Sequence, residues 1–326
     1  MKSTSIVFHE HGKPDEVLRL EEHEIGDPGP DEVLLEVLAS PINPSDLGTI
    51  GGSYGTLPPL PAVAGLEGVA KVLETGAGVT AIQPGDHVRT PQGTGAWQTH
   101  LAASSGSLFK VPADIPPEQA ATAFVNPPTA WLLLQEVKQM KPGDWIIQNA
   151  ANSAVGVAVI QIARHLGLRT LNLVRREELI QPLMDLGANH VLLDNDDYPP
   201  LARDITGNEG IGLALNSIGG PSAIRLCRVL ANGGTLVTFG GMTGEPVRFP
   251  TRNLIFNDIC LTGFWATRWM QKVPVETLQG MFMTIFGLFQ SGILETRIEA
   301  TYPLEQFAEA LAHNAEPRFG KVLFKI

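Results

Sequence analysis

The sequence predicts an α/β chain of two domains, a β-barrel-like domain and a doubly wound parallel sheet. Three observations carry this expectation. The grammar of the chain changes near residue 121; a small-residue turn at 149–156 joins a short apolar run to a helical period; and 326 residues suffice for about two cores.

Residues 1–120 alternate short apolar runs with turn formers. Val33-Leu34-Leu35-Glu36-Val37, Gly68-Val69-Ala70-Lys71-Val72-Leu73 and His87-Val88-Arg89 read as strands. Asp27-Pro28-Gly29-Pro30, Gly76-Ala77-Gly78 and Pro84-Gly85-Asp86 separate them, and no long helical period intervenes. These features predict an all-β, barrel-like domain.

Beyond residue 121 strands alternate with helices. Asp144-Trp145-Ile146-Ile147-Gln148-Asn149 reads as a strand, and residues 156–166 repeat apolar side chains at helical spacing. Thr170-Leu171-Asn172-Leu173-Val174 is a second strand, followed by a helix through Leu179, Leu183 and Leu186 that Gly187 ends. Strands at 191–194, 212–216, 235–240 and 259–265 continue the series, as βαβ units of a parallel sheet require. An amphipathic helix near 275–290, a run at 297–300, a helix at 304–313 and a strand at 321–326 complete the chain. The expected division is a discontinuous barrel domain, 1–120 and 269–326, around a nucleotide-type domain, 121–268.

Composition narrows the function. Hydrophobic residues make up 44% and charged residues 17%, a globular balance too apolar for disorder. Lys and Arg number 23 against 34 Asp and Glu, a formal charge of −11, which argues against a nucleic-acid or anionic-membrane partner. Cys227 and Cys260 provide neither a disulfide framework nor a Cys-rich zinc site, and both thiols are expected to be buried. The opening residues show neither an apolar signal core nor an Arg-rich presequence, and no run reaches the ~18 apolar residues of a membrane span. These features predict a cytoplasmic, non-membrane protein.

The turn Asn149-Ala150-Ala151-Asn152-Ser153-Ala154-Val155-Gly156 occupies the place of a G-x-G-x-x-G dinucleotide fingerprint and reads A-x-S-x-x-G. Gly156 permits close helix–strand packing, and small residues at 151 and 153 let the backbone approach a pyrophosphate at the helix N-terminus. The same residues also suit a plain strand–helix turn. Where an NAD protein needs an acid after the second strand, Arg175-Arg176 stands. Two cations suit a 2′-phosphate and therefore NADPH, and the alternative is a solvated loop pairing with Glu177 and Glu178. The eight histidines are scattered without ligand spacing, so no metal is expected.

A barrel domain combined with this nucleotide-type domain resembles the medium-chain dehydrogenase/reductase superfamily, whose P-G-D-x-V turn is matched by Pro84-Gly85-Asp86-His87-Val88. That resemblance implies a GroES-like barrel beside a Rossmann sheet. Zinc-binding members carry G-H-E where Gly65-Leu66-Glu67 stands. Among zinc-free members, the chain looks most like the mitochondrial-type trans-2-enoyl thioester reductases. The similarity runs through Ile42-Asn43-Pro44-Ser45-Asp46, Gly52-Ser53-Tyr54-Gly55, Pro59-Leu60-Pro61-Ala62-Val63, the 149–156 turn and Gly263-Phe264-Trp265.

The resemblance implies that Tyr54 is the catalytic tyrosine. It also implies NADPH contacts from Asn126, from Asn152, Ser153, Ala154, Val155 and Gly156, and from Arg175 with Arg176. Further contacts are implied for Phe239, Gly240, Gly241 and Met242, for Phe264, Trp265, Ala266 and Thr267, and for Lys321. Relatives commonly read R-D-R where Arg175-Arg176-Glu177 stands, so the second cation has moved by one position. From the residues alone, Tyr54 also reads as a loop aromatic capping the barrel, Trp265 as core and Lys321 as an edge-strand charge; by resemblance, Asp46 and Glu67 stand where zinc-binding members place metal chemistry and are expected to serve here as hydrogen-bonding supports.

The implied activity is NADPH-dependent reduction of the α,β-double bond of an enoyl thioester of CoA or acyl carrier protein. A phenol, with an ordinary pKa of about 10, stays protonated at neutral pH and suits a donor to the α-carbon. A zinc-free NADPH:quinone oxidoreductase is the alternative, followed by a catalytically silent NADPH-binding protein. A homodimer is expected by resemblance, through edge-to-edge pairing of the sixth strand.

Overall fold

The computed structural model describes residues 1–207 and 209–326 and divides into two compact units, 1–125 with 296–326, and 126–295.

In chain order the first unit contains β1 (Lys2–Phe8), α1 (Pro14–Val17), β2 (Leu18–Glu24), β3 (Glu32–Pro41), α2 (Pro44–Ile50), β4 (Ala62–Val63) and β5 (Val69–Thr75). β6 (His87–Arg89), β7 (His100–Ser104), β8 (Lys110–Val111) and α3 (Pro117–Ala120) follow. The strands expected at 33–37, 68–73 and 87–89 are thus present, and each of the three short helices α1, α2 and α3 has Pro in its first turn. β3 is the hub, pairing antiparallel with β5 and β7. Two register shifts along the β3–β5 ladder bend it, as closure of a barrel requires. Trp97 is fully buried, donates its indole N–H to the Pro41 carbonyl at 3.3 Å, and meets Phe324 edge-on at 5.1 Å. Gly65 has to be glycine, because its φ is +93° and a Cβ there would lie 2.4 Å from the Trp97 ring.

The second unit contains α4 (Asn126–Gln135), β9 (Trp145–Gln148), α5 (Ala154–His165), β10 (Arg169–Val174), α6 (Ile180–Asp185), β11 (His190–Leu193) and α7 (Tyr198–Thr206). β12 (Ile211–Asn216), α8 (Gly220–Val229), β13 (Leu230–Thr238), α9 (Thr251–Phe256), β14 (Cys260–Gly263), α10 (Ala266–Met270) and α11 (Val275–Gln290) follow. The sheet is parallel, in the order β11-β10-β9-β12-β13-β14. That order reverses direction between β9 and β12, the switch point at which doubly wound sheets open a crevice beyond the strand C-termini. β9 is buried along its whole length, as a central parallel strand requires, with Gln148 at its end hydrogen-bonded to the Gly156 carbonyl and to Asn172.

β15 (Ile298–Tyr302), α12 (Phe307–Ala315) and β16 (Lys321–Lys325) return to the first unit, where β16 pairs antiparallel with β3. The return begins later than the expected residue 269. α11 belongs to the second unit, where it packs against α4 with Phe282, Ile285 and Phe286 buried. Its apolar stripe is therefore satisfied within the nucleotide-type unit. Cys227 is buried as expected, but Cys260 is exposed, because it opens the edge strand β14, whose one neighbour among the described residues is β13. Among the described residues no helix is long and apolar enough to cross a membrane.

Candidate active site

In the second unit, four of the expected segments leave the sheet at one edge. Parallel strands share a C-terminal edge, and 149–156, 175–176, 239–242 and 264–267 follow β9, β10, β13 and β14 there. The first is a tight strand-to-helix turn. Ala150 adopts φ +48°, the Ala151 N–H donates to the Leu173 carbonyl at 3.1 Å, and the Ser153 hydroxyl caps α5 by accepting from the Gly156 N–H at 3.1 Å. A Cβ on Gly156 would lie 2.5 Å from the Ala151 carbonyl oxygen, so only glycine lets α5 approach this closely. Asn152, Ser153, Ala154 and Val155 remain half-exposed over the N-terminus of a twelve-residue helix. Small side chains and helix N–H groups are the donor set that a pyrophosphate takes.

Arg175 is exposed directly after β10, whereas Arg176 is half-buried and pairs with Glu178 at 3.2 Å. The two arginines are therefore not equivalent. Phe239 and Met242 donate their N–H groups to the Asn216 and Ser217 carbonyls, both at 3.0 Å, which folds 239–242 across the end of β12. Gly240 lies so close to Ser217 that a Cβ would come within 3.2 Å of its carbonyl oxygen, while Gly241 faces open space. The Phe264 N–H donates to Thr238 at 2.9 Å, and Trp265, half-buried, opens α10, where Ala266 is buried and Thr267 half-buried. Asn126 is buried at the start of α4.

Beneath this edge lies a polar network that reading the sequence had missed. The Asn149 side chain donates to Asn216 Oδ1 at 2.8 Å and to the Ser222 hydroxyl at 3.0 Å. Ser222 in turn donates to Asp194 at 2.7 Å, and Arg225 closes the chain onto the same carboxylate at 2.7 Å. Asn149, Asn216 and Asp194 stand at or just beyond the ends of β9, β12 and β11, so the network ties the strand ends on either side of the switch point. Their positions at strand ends were the only signal available.

In the first unit Tyr54 is half-exposed just beyond α2. Its N–H donates to the Gly48 carbonyl at 3.1 Å, and Gly48 packs against it: a Cβ on that glycine would lie 3.6 Å from Tyr54 Cβ. The N-terminus of α2 is anchored in a buried charged cluster. Asp46 accepts from the N–H groups of Asn43 at 2.6 Å and Leu66 at 2.7 Å. Glu67 accepts from the Asn43 side chain at 2.8 Å and from the Phe124 N–H at 3.0 Å. Lys321 Nζ donates to the Ile42 carbonyl and to Asn43 Oδ1, both at 2.6 Å.

Burial dominates the electrostatics of this cluster. It raises the Asp46 carboxyl to about 7, against the pull of its N–H donors and Lys321, and it raises Glu67 as well. It lowers the Lys321 ammonium to about 8, against the support of both carboxylates. Arg89, 5.1 Å over the Phe124 ring, adds a second cation that favours ionised Glu67. Lys321, read as an edge-strand charge from its residues alone, is thus a buried internal cation.

The comparisons with known proteins bear on both units. Residues 29–113 match the family described as "Alcohol dehydrogenase GroES-like domain", and 154–281 the one described as "Zinc-binding dehydrogenase". Zinc does not fit the residues present. The carboxylates of Asp46 and Glu67 are engaged by N–H donors, an ammonium stands beside them, and no group of three or more His, Cys, Asp or Glu among the described residues can hold a metal.

Solved structures similar over the whole chain include two with a TM-score of 0.91 and 29% identity. One is Etr1p in complex with NADP and crotonyl-CoA, covered over 100% of its own length. The other is a putative NADPH:quinone reductase from Bacillus thuringiensis, covered over 99%.

The mitochondrial enoyl-[acyl-carrier-protein] reductase of Xenopus tropicalis is 43% identical over 97% of this chain and 93% of its own length. The human protein of that name is 42% identical over 96% and 86%. The mitochondrial names of these relatives overturn the cytoplasmic placement expected from the opening residues. With more than two-fifths of its residues shared along nearly its full length, the chain belongs to the enoyl-[acyl-carrier-protein] reductase family, within the medium-chain dehydrogenase/reductase superfamily.

Proposed function

We propose that the chain reduces the α,β-double bond of a 2-enoyl thioester, carried on CoA or acyl carrier protein, with NADPH as reductant. The observation that carries this reading is the near-full-length identity to enoyl-[acyl-carrier-protein] reductases. The tight turn after β9 supports it, since it sets small residues over the N-terminus of α5, the kind of place where a pyrophosphate binds.

NADPH, when bound, supplies the hydride that the electrophilic β-carbon receives. The remaining work belongs to the chain. Residues 152–156 would hold the pyrophosphate, and Arg175 would take the 2′-phosphate, whereas Arg176 is paired with Glu178. Asn126, Phe239–Met242 and Phe264–Thr267 would line the remainder of the cofactor site; Lys321 is left out of it, because its ammonium is buried and committed to Ile42 and Asn43. As negative charge develops on the thioester enolate, the Tyr54 phenol donates a proton toward the α-carbon, directly or through a water that it positions.

The resemblance to a putative NADPH:quinone reductase supports the second reading, two-electron reduction of a quinone. The test is NADPH oxidation with trans-2-hexenoyl-CoA and with 1,4-benzoquinone, for wild type and Tyr54→Phe. General-acid help is worth about 10²–10⁴-fold, so thioester turnover should fall by about that factor in the variant. Turnover of the quinone alone would transfer the function to the second reading, and NADPH binding without any turnover would favour a silent binding protein.

A homodimer belongs to the same proposal. Among the described residues β14 ends the parallel sheet with one edge unpaired, and Ile255 and Phe256, 66% and 74% exposed, precede it. Light scattering at micromolar concentration should report twice the 35.0 kDa chain mass; a monomer would refute it.

A further inference from the structure

We infer that Asn43 is a positioning residue for Tyr54, acting through α2; the inference rests on the proposed role of Tyr54. Every polar group of Asn43 is committed. Its N–H donates to Asp46 Oδ2 at 2.6 Å, its carbonyl accepts from the Asp46 N–H at 3.0 Å, its amide nitrogen donates to Glu67 at 2.8 Å, and its amide oxygen accepts from Lys321 at 2.6 Å. Asn43 is 1% exposed, and Asp46, Glu67 and Lys321 are each at most 4% exposed. One carboxamide therefore bridges an anion and a cation that lie on different strands and loops of the barrel. Neither a carboxylate nor an ammonium can replace it, since the position needs a donor toward Glu67 and an acceptor toward Lys321 at once.

This bridge fixes the start of α2, and the helix transmits it. Seven residues long, α2 carries the chain from Asn43 to Gly51, whose N–H donates to Leu47 at 2.8 Å. The N–H groups of Ser53 and Tyr54 both return to the Gly48 carbonyl, at 2.9 and 3.1 Å. The helix end is held as well, because the Ile50 carbonyl accepts from the Gly12 N–H at 3.1 Å. Tyr54 is thus hydrogen-bonded to a short helix whose other end is locked into a buried, charge-balanced cluster. A loss of alignment at position 43 reaches the phenol as a displacement, and a misplacement of about 1 Å can cost about 10²-fold in rate.

A double-mutant cycle on thioester reduction tests this, using Asn43→Ala, Tyr54→Phe and the pair. Asn43→Ala should lower kcat about 10–100-fold while leaving KM for NADPH within about 2-fold. The pair should be no worse than Tyr54→Phe alone by more than about 2-fold, because Asn43 acts only through the phenol. A general structural role predicts losses that multiply, and that result would overturn the inference while leaving the proton-donor role of Tyr54 intact. A Tyr54→Phe enzyme of undiminished rate would instead remove the tyrosine from the chemistry and Asn43's role with it. Should Asn43→Ala fail to fold, Asn43→Ser keeps a favourable N-cap while breaking the bridge, and the same cycle applies with the same two outcomes.

Discussion

Lys321 Nζ donates to Asn43 Oδ1 at 2.6 Å although 278 residues separate the two in sequence. The contact joins the last strand to the loop that opens α2 and sets a cation beside two buried carboxylates. An ion in such a place is costly unless its partners are well aligned, and breaking a buried pair is costlier than forming it.

Lys321→Met should therefore destabilise the fold strongly, by about 3–5 kcal/mol at pH 7.5, because Asp46 and Glu67 lose their nearest ammonium. The loss should shrink at pH 5, where the carboxyls take up protons and need no counter-ion. Urea unfolding midpoints at the two pH values check this; a variant equally stable at both would contradict it.

Asp46 makes wild-type stability depend on pH. Its carboxyl is raised from 3.8 to about 7 in the folded chain, so between those values the folded state holds the proton that the unfolded state has released. That contribution is complete below pH 3.8 and is lost as pH rises through 7. Asp46→Asn lacks the titration, so its stability should decline less between pH 4.5 and 7 than that of wild type. Parallel curves would refute the shift.

Gly156→Ala should damage the nucleotide turn. The new Cβ would lie 2.5 Å from the Ala151 carbonyl oxygen and 2.8 Å from its carbonyl carbon, and backbone has to move to make room. Overpacking of this kind costs about 1–3 kcal/mol, so the melting temperature should fall and NADPH should bind more weakly. Calorimetry and a fluorescence titration measure the two effects.

Arg175→Ala should weaken NADPH binding by about 10-fold or more and leave NADH nearly unchanged, since the contact proposed for Arg175 is a charge-assisted one to the 2′-phosphate. Arg176→Ala should do less, because that side chain is already engaged by Glu178. Equal losses for both cofactors would move the 2′-phosphate away from Arg175.

Much of this molecule was written locally. The parallel sheet could be read because β9 is a short apolar run followed by a helical period, and such patterns need only neighbouring residues. Gly187 was readable as a helix stop, and its φ of +103° is the conformation that glycine alone adopts freely. The start of α2 was equally legible in principle, with Asn at the cap, Pro next and Asp three residues on.

What the tertiary structure decided is what each polar end meets. Nothing near Lys321 in sequence announces Ile42 and Asn43 as its acceptors, and nothing near Asn149 announces Asn216, Ser222 and Asp194. Arg176 and Cys260 show the same limit at the surface: one is diverted to Glu178, and the other is exposed because its strand is an edge. α11 was placed correctly along the chain, but its unit was set by α4, about 150 residues earlier. Periodicity and turn chemistry are properties of neighbours, so the sequence by itself determined the elements and their order. Charge pairing and burial depend on which distant elements fold together, and only the folded chain brings those together.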